Sequence, residues 1–73
     1  MTERFIATAA GGEPQTFTRK GLAFAYARRK AGGAAASASV ERQVREPGDP
    51  ADAYTSLDLW TFHASGEIDH TRL

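Results

Sequence analysis

The sequence predicts a two-layer α+β domain in which one helix packs on a small, largely antiparallel sheet, ordered β-α-β-β(-β). Three observations carry that prediction. Only residues 18–33 combine helical spacing with end signals. The other apolar stretches alternate with a period of two. No repeat or linker divides the 73 residues, so residues 1–73 are read as one domain.

The first strand is expected over Arg4–Ala9, with Phe5, Ala7 and Ala9 on one side and Ile6 and Thr8 on the other. Gly11-Gly12-Glu13-Pro14 breaks it. Gln15-Thr16-Phe17 then closes that loop or forms a brief extended piece.

The helix follows. Thr18 is the expected N-cap, since its hydroxyl can accept from a free first-turn amide. Phe17 and Leu22 would then form a hydrophobic staple. Gly32-Gly33 offers a left-handed stop. Gly21 costs about 1 kcal/mol relative to alanine. At about 100° per residue, Ala23, Phe24, Ala27 and Ala31 share an arc that only Lys20 interrupts. Arg28 and Arg29 fall opposite. The segment holds five cations (Arg19, Lys20, Arg28, Arg29, Lys30) and no anion.

Residues 34–45 alternate as a strand, with Ala34, Ala36, Ala38, Val40 and Val44 on one face and Arg42 interrupting it. Two prolines, a glycine and three acids make 46–52 a loop. Residues 54–64 form the strongest strand, with Leu57 and Leu59 on one face and Tyr54, Trp60 and Phe62 on the other. A turn at 64–67 leads to a short strand around Ile68–His70, and Thr71-Arg72-Leu73 is expected to fray.

The formal net charge of zero hides a division. Residues 1–45 hold eight cations against three acids, a net of +5, while residues 46–73 hold one cation against six acids, a net of −5. In so short a chain the halves are expected to mix and neutralise one another. The core is near the lower limit for a domain that folds alone, and no cysteine is present to staple it. The N-terminal residues lack a signal-peptide pattern, and no apolar run reaches the ~20 residues of a membrane span. A cytoplasmic location is the expectation, in keeping with the absence of cysteine.

No motif carries chemistry. Asp58, His63, Glu67, Asp69 and His70 cluster late in the chain, but two histidines fall short of the ligands zinc needs, so no metal or cofactor is expected. Ser65, His63 and Asp58 form a hydrolytic trio only on paper, without a nucleophile elbow. Gly11-Gly12 lacks the further glycine and lysine-serine pair of a phosphate loop. The chain is therefore not expected to be an enzyme.

One helix covers one face of a sheet, while the strand over 54–64 has apolar residues on both. An uncovered aromatic face is expected to bury against a protein partner or a second copy, through Tyr54, Trp60 and Phe62, with Arg28, Arg29 and Lys30 orienting the encounter. That describes a non-catalytic interaction module acting stoichiometrically. Small proteins of this kind include phage-encoded inhibitors of host systems, such as anti-CRISPR proteins. The alternative is a nucleic-acid-binding protein, in which the basic helix meets phosphates and exposed aromatics stack on bases.

Overall fold

A computed structural model describes residues 1–33 and 35–73. Its elements are β1 (Thr2–Ala9), β2 (Gln15–Phe17), α1 (Lys20–Ala31), β3 (Ser37–Arg45), β4 (Thr55–His63) and β5 (Ile68–Arg72). The domain is α+β, with one helix on a five-stranded antiparallel sheet in the order β2-β1-β3-β4-β5. The brief extended piece is thus a strand that pairs with β1, and β5 continues through Thr71 and Arg72 rather than fraying. Ala34, expected at the head of the third long strand, lies outside the described residues.

Cross-strand partners sort the side chains into rows. Beneath the helix run Ala9–Ala38–Phe62–Ile68 and Ala7–Val40–Trp60–His70. The next row on the same face is Phe17–Phe5–Arg42–Asp58–Arg72. The opposite face, which carries no helix, has Thr16–Ile6–Glu41–Leu59–Thr71.

Ala23, Ala27 and Ala31 are buried to 1% exposure or less, as the four-residue spacing predicts. With only methyl groups between them, helix and sheet backbones approach closely, and the core closes on Phe5, Val40 and Phe62. Phe24 seals the side nearer β4, meeting Phe62 and Trp60 edge-on, each at 5.0 Å between ring centroids. Lys20, the interruption in the apolar arc, sets its ammonium 4.9 Å from the Trp60 ring centroid and 5.1 Å from that of Phe24.

The helix ends differ from expectation. The N-cap is Arg19, in an extended conformation without a side-chain cap, rather than Thr18. Phe17 packs on Tyr26 at 5.5 Å instead of stapling Leu22, which is 57% exposed. Gly32 keeps a right-handed helical conformation (φ −78°), its amide donating to the Arg28 carbonyl at 3.1 Å. Among the described residues between α1 and β3, the left-handed one is Ala36, at φ 62°.

Candidate functional site

The sequence-predicted site residues divide among three places. Arg28, Arg29 and Lys30 form the exposed last turn of α1. There their charges suit the helix dipole. Arg29 and Lys30 lie 5.7 and 5.6 Å from the Tyr26 ring centroid, and that aromatic contact holds them at the helix end. Among the described residues, no cation of α1 or its N-cap takes part in an ion pair within 4.0 Å. Lys20, Gly21, Leu22 and Ala25 are the other exposed residues of the helix.

Trp60 and Phe62 are on the helix side of the sheet, which corrects the expectation of an open aromatic face. Phe62 is 2% exposed. Trp60 is half-buried, with Phe24 against it edge-on and His70 stacked on it at 4.8 Å and 10° between planes. The helix chose this face because its partners in β1 and β3 are small: Ala7, Ala9, Ala38 and Val40.

Tyr54 is parted from them by a register shift. Arg42 pairs with Asp58, yet Gln43 pairs with Ser56, leaving Leu57 as an extra residue in β4. Such a bulge inverts the alternation of everything beyond it. Ser56 therefore joins the helix-free face, and Tyr54 lies just ahead of it, its ring beneath the Arg4 guanidinium at 3.6 Å. Arg4 also donates to the Gln43 side-chain oxygen at 2.8 Å, and Glu41 accepts from Gln43 and Ser56. One helix does leave a sheet face bare, as expected. That face is a hydrogen-bonded polar lattice around Ile6 and Leu59, not an aromatic patch.

A charged corner interrupts the apolar alternation of β3 and β4. Asp58 is 5% exposed although it shares a face with Trp60 and Phe62. One carboxylate oxygen accepts from Arg42 Nε at 2.8 Å and the other pairs with His70 Nε2 at 2.8 Å. Arg42 also donates to Glu3 at 2.8 Å. Hydrogen bonds from Arg42 and then His70 hold the Asp58 carboxyl below its usual range, against the opposing effect of burial. The same bonds, to Asp58 first and Glu3 second, hold the Arg42 guanidinium more firmly protonated than usual. The signal was present in the sequence: Arg42 and Asp58 each break the apolar parity of their own strand.

His63 pairs with Asp69 at 2.8 Å and Asp58 with His70, so the trio Ser65, His63 and Asp58 is not brought together. No group of three or more potential metal ligands converges among the described residues. No described helix is long and apolar enough to cross a membrane. An open groove of ≈ 510 Å³ separates the end of α1 from the β1–β2 loop, bordered by Tyr26, Arg29 and Lys30 on one side and Ala10, Gly11 and Gly12 on the other. No family model, curated protein or solved structure matches the chain.

Proposed function

We propose that the protein is a non-catalytic interaction module that acts stoichiometrically, docking the outward surface of α1 against an acidic face of a protein partner. One observation carries this reading. The helix presents Arg28, Arg29 and Lys30 free of ion pairs among the described residues, and a leucine left 57% exposed in its first turn. An exposed apolar side chain and unpaired arginines on one helix have the make-up of an interface. The cation of the charged corner, by contrast, is spent internally, Arg42 pairing with both Asp58 and Glu3. Stoichiometric inhibition by occupancy, the activity class of phage-encoded anti-CRISPR proteins, is a use such a surface serves without chemistry. A cytoplasmic setting suits a chain without cysteine.

The protein reading is preferred to the nucleic-acid one because the stacking platform is already filled: Phe62 lies in the core and Trp60 lies against Phe24 and His70. Capture of the native partner on immobilised protein, wild type against Arg28→Glu with Arg29→Glu, tests the proposal. Both side chains are exposed, so the variant should keep its fold and lose the partner. Undiminished capture by the variant rejects the helix as the docking surface. Loss of oligonucleotide binding with a steep salt dependence, in place of lost protein capture, replaces it with the nucleic-acid alternative.

A further inference from the structure

Two oppositely charged places sit at opposite ends of the sheet. β3 leads from one to the other in nine residues, about 30 Å at strand rise. The molecule is 41 Å along its longest axis. At the far end of β3, Glu46-Pro47-Gly48-Asp49-Pro50-Ala51-Asp52 is exposed throughout and carries three acids.

This loop has a definite shape. The Asp49 amide donates to the Glu46 carbonyl at 3.1 Å, the Ala53 amide donates to Pro50 at 3.0 Å, and Arg45 donates to the Asp49 carbonyl at 2.9 Å. Gly48, at φ 92°, makes the first of these turns. Two prolines and two closed turns reduce the freedom that binding would otherwise remove. The result is a convex acidic knuckle with Arg45 at its base.

At the near end is the groove between α1 and the β1–β2 loop. Its floor at Ala10, Gly11 and Gly12 has no side chain beyond Cβ, and Arg29 and Lys30 border it beside Tyr26. Glu13 and Glu67 are the acids of the adjoining loops, and neither is ion-paired with Arg28, Arg29 or Lys30 among the described residues.

We infer that the protein associates head to tail, the acidic loop 46–52 of one copy seating in the basic groove of the next. The inference rests on the reading of the α1 surface as a docking site and names a second copy as one occupant. The charges match, an exposed acidic loop to an open groove bordered by Arg29 and Lys30. A net charge of zero leaves no overall repulsion between copies. Because donor and acceptor lie at opposite ends, the contact is heterologous, and each dimer retains one free groove and one free loop for further growth. Exposed ion pairs make such contacts weak and salt-sensitive.

Sedimentation velocity over a concentration series, at low and high salt, reads the association directly. The wild type should gain mass with concentration at low salt and lose that gain at high salt. Arg29→Glu with Lys30→Glu should be monomeric, and so should Asp49→Lys with Asp52→Lys. Mixed in equal amounts, these two variants should associate again as alternating copies, since each native loop then meets a native groove and each reversed loop a reversed groove. A chain with all four substitutions should associate again, its polarity reversed. All these positions are exposed, and circular dichroism checks that each variant is folded. A wild type that stays monomeric up to its solubility limit overturns the inference, as does association that survives either reversal or a mixture that fails to associate. If the wild type is monomeric while Arg28→Glu with Arg29→Glu still abolishes capture of a foreign partner, the self-association fails and the broader reading stands.

Discussion

Two neighbouring stretches of one sheet face are built in opposite ways. Under α1, the rows through Ala38–Phe62 and Val40–Trp60 are apolar and closed by alanine methyls and the Phe24 ring. One row further, Arg42 meets Asp58, and they are tied to Glu3 on β1 and His70 on β5. Length explains the change. A helix of 12 residues reaches about 18 Å, whereas a strand of nine reaches about 30 Å, so part of the face is always left uncovered. Between β3 and β4 the chain fills that part with an ionic network, flanked by the buried Phe5 and Val44. A charge at core parity here marks where the helix cover stops.

The largest effect should separate the covered rows from the bare face behind them. Phe62→Ala removes a ring that is 2% exposed, and a cavity of that kind costs about 3–5 kcal/mol. Stability of small domains runs at roughly 0.1 kcal/mol per residue, so this single change should remove about half of the total. Ile6→Ala, on the half-buried helix-free face, should cost only about 1 kcal/mol. Urea denaturation followed by Trp60 fluorescence compares the two. Equal losses would mean that both faces are covered in solution, and would erase the contrast.

The charged corner answers to pH. Asp58 has its folded-state pKa depressed, so its contribution is present above the unfolded carboxylate value of about 3.9 and is lost as pH falls through the lower folded value. Asp58→Asn keeps the shape and removes the charge that Arg42 and His70 engage. The variant should be less stable than the wild type at neutral pH, by less than Phe62→Ala. The gap should narrow as pH drops below about 4, where the wild-type carboxylate takes up its proton. Urea midpoints of both proteins at several pH values provide the measurement. A gap that stays constant into acid would show that the Asp58 charge adds nothing to the network.

How much of this was legible depended on the length scale of each signal. The alanine seam of α1 and the buried side of β1 were readable because helical and strand periods are local properties. The arrangement under the helix was not. Trp60 and Phe62 alternate correctly with Leu59, yet alternation cannot say which face the helix will choose. That choice was set by the small residues of β1 and β3, far away in sequence. Tyr54 was misplaced for a different reason. A single extra residue at Leu57 reverses parity, and nothing in the composition of Thr55–Asp58 announces it. β5 outran its expected end because Thr71 and Arg72 pair with Leu59 and Asp58, again a long-range matter. The basic turn at Arg28–Lys30 was visible outright, since consecutive charges need no fold to be read.

The smallest effect tests what fixes the helix above the covered rows. Gly32 stays right-handed, and among the described residues between α1 and β3 the left-handed one is Ala36, at φ 62°. The following residue, Ser37, accepts the Ala10 amide at 3.1 Å and opens β3. An alanine in the left-handed region crowds its Cβ against the next carbonyl, at a cost of roughly 1–2 kcal/mol. Glycine removes that crowding but adds about 0.4–1 kcal/mol of unfolded-state freedom. Ala36→Gly should therefore stabilise the domain by about 0.5–1 kcal/mol, read as a higher urea midpoint with unchanged slope. An unchanged or lower midpoint would place the reversal at another residue. The helix end would then be anchored over Ala9 and Ala38 by its packing alone, and the boundary between dry and charged rows would be set entirely from the sheet side.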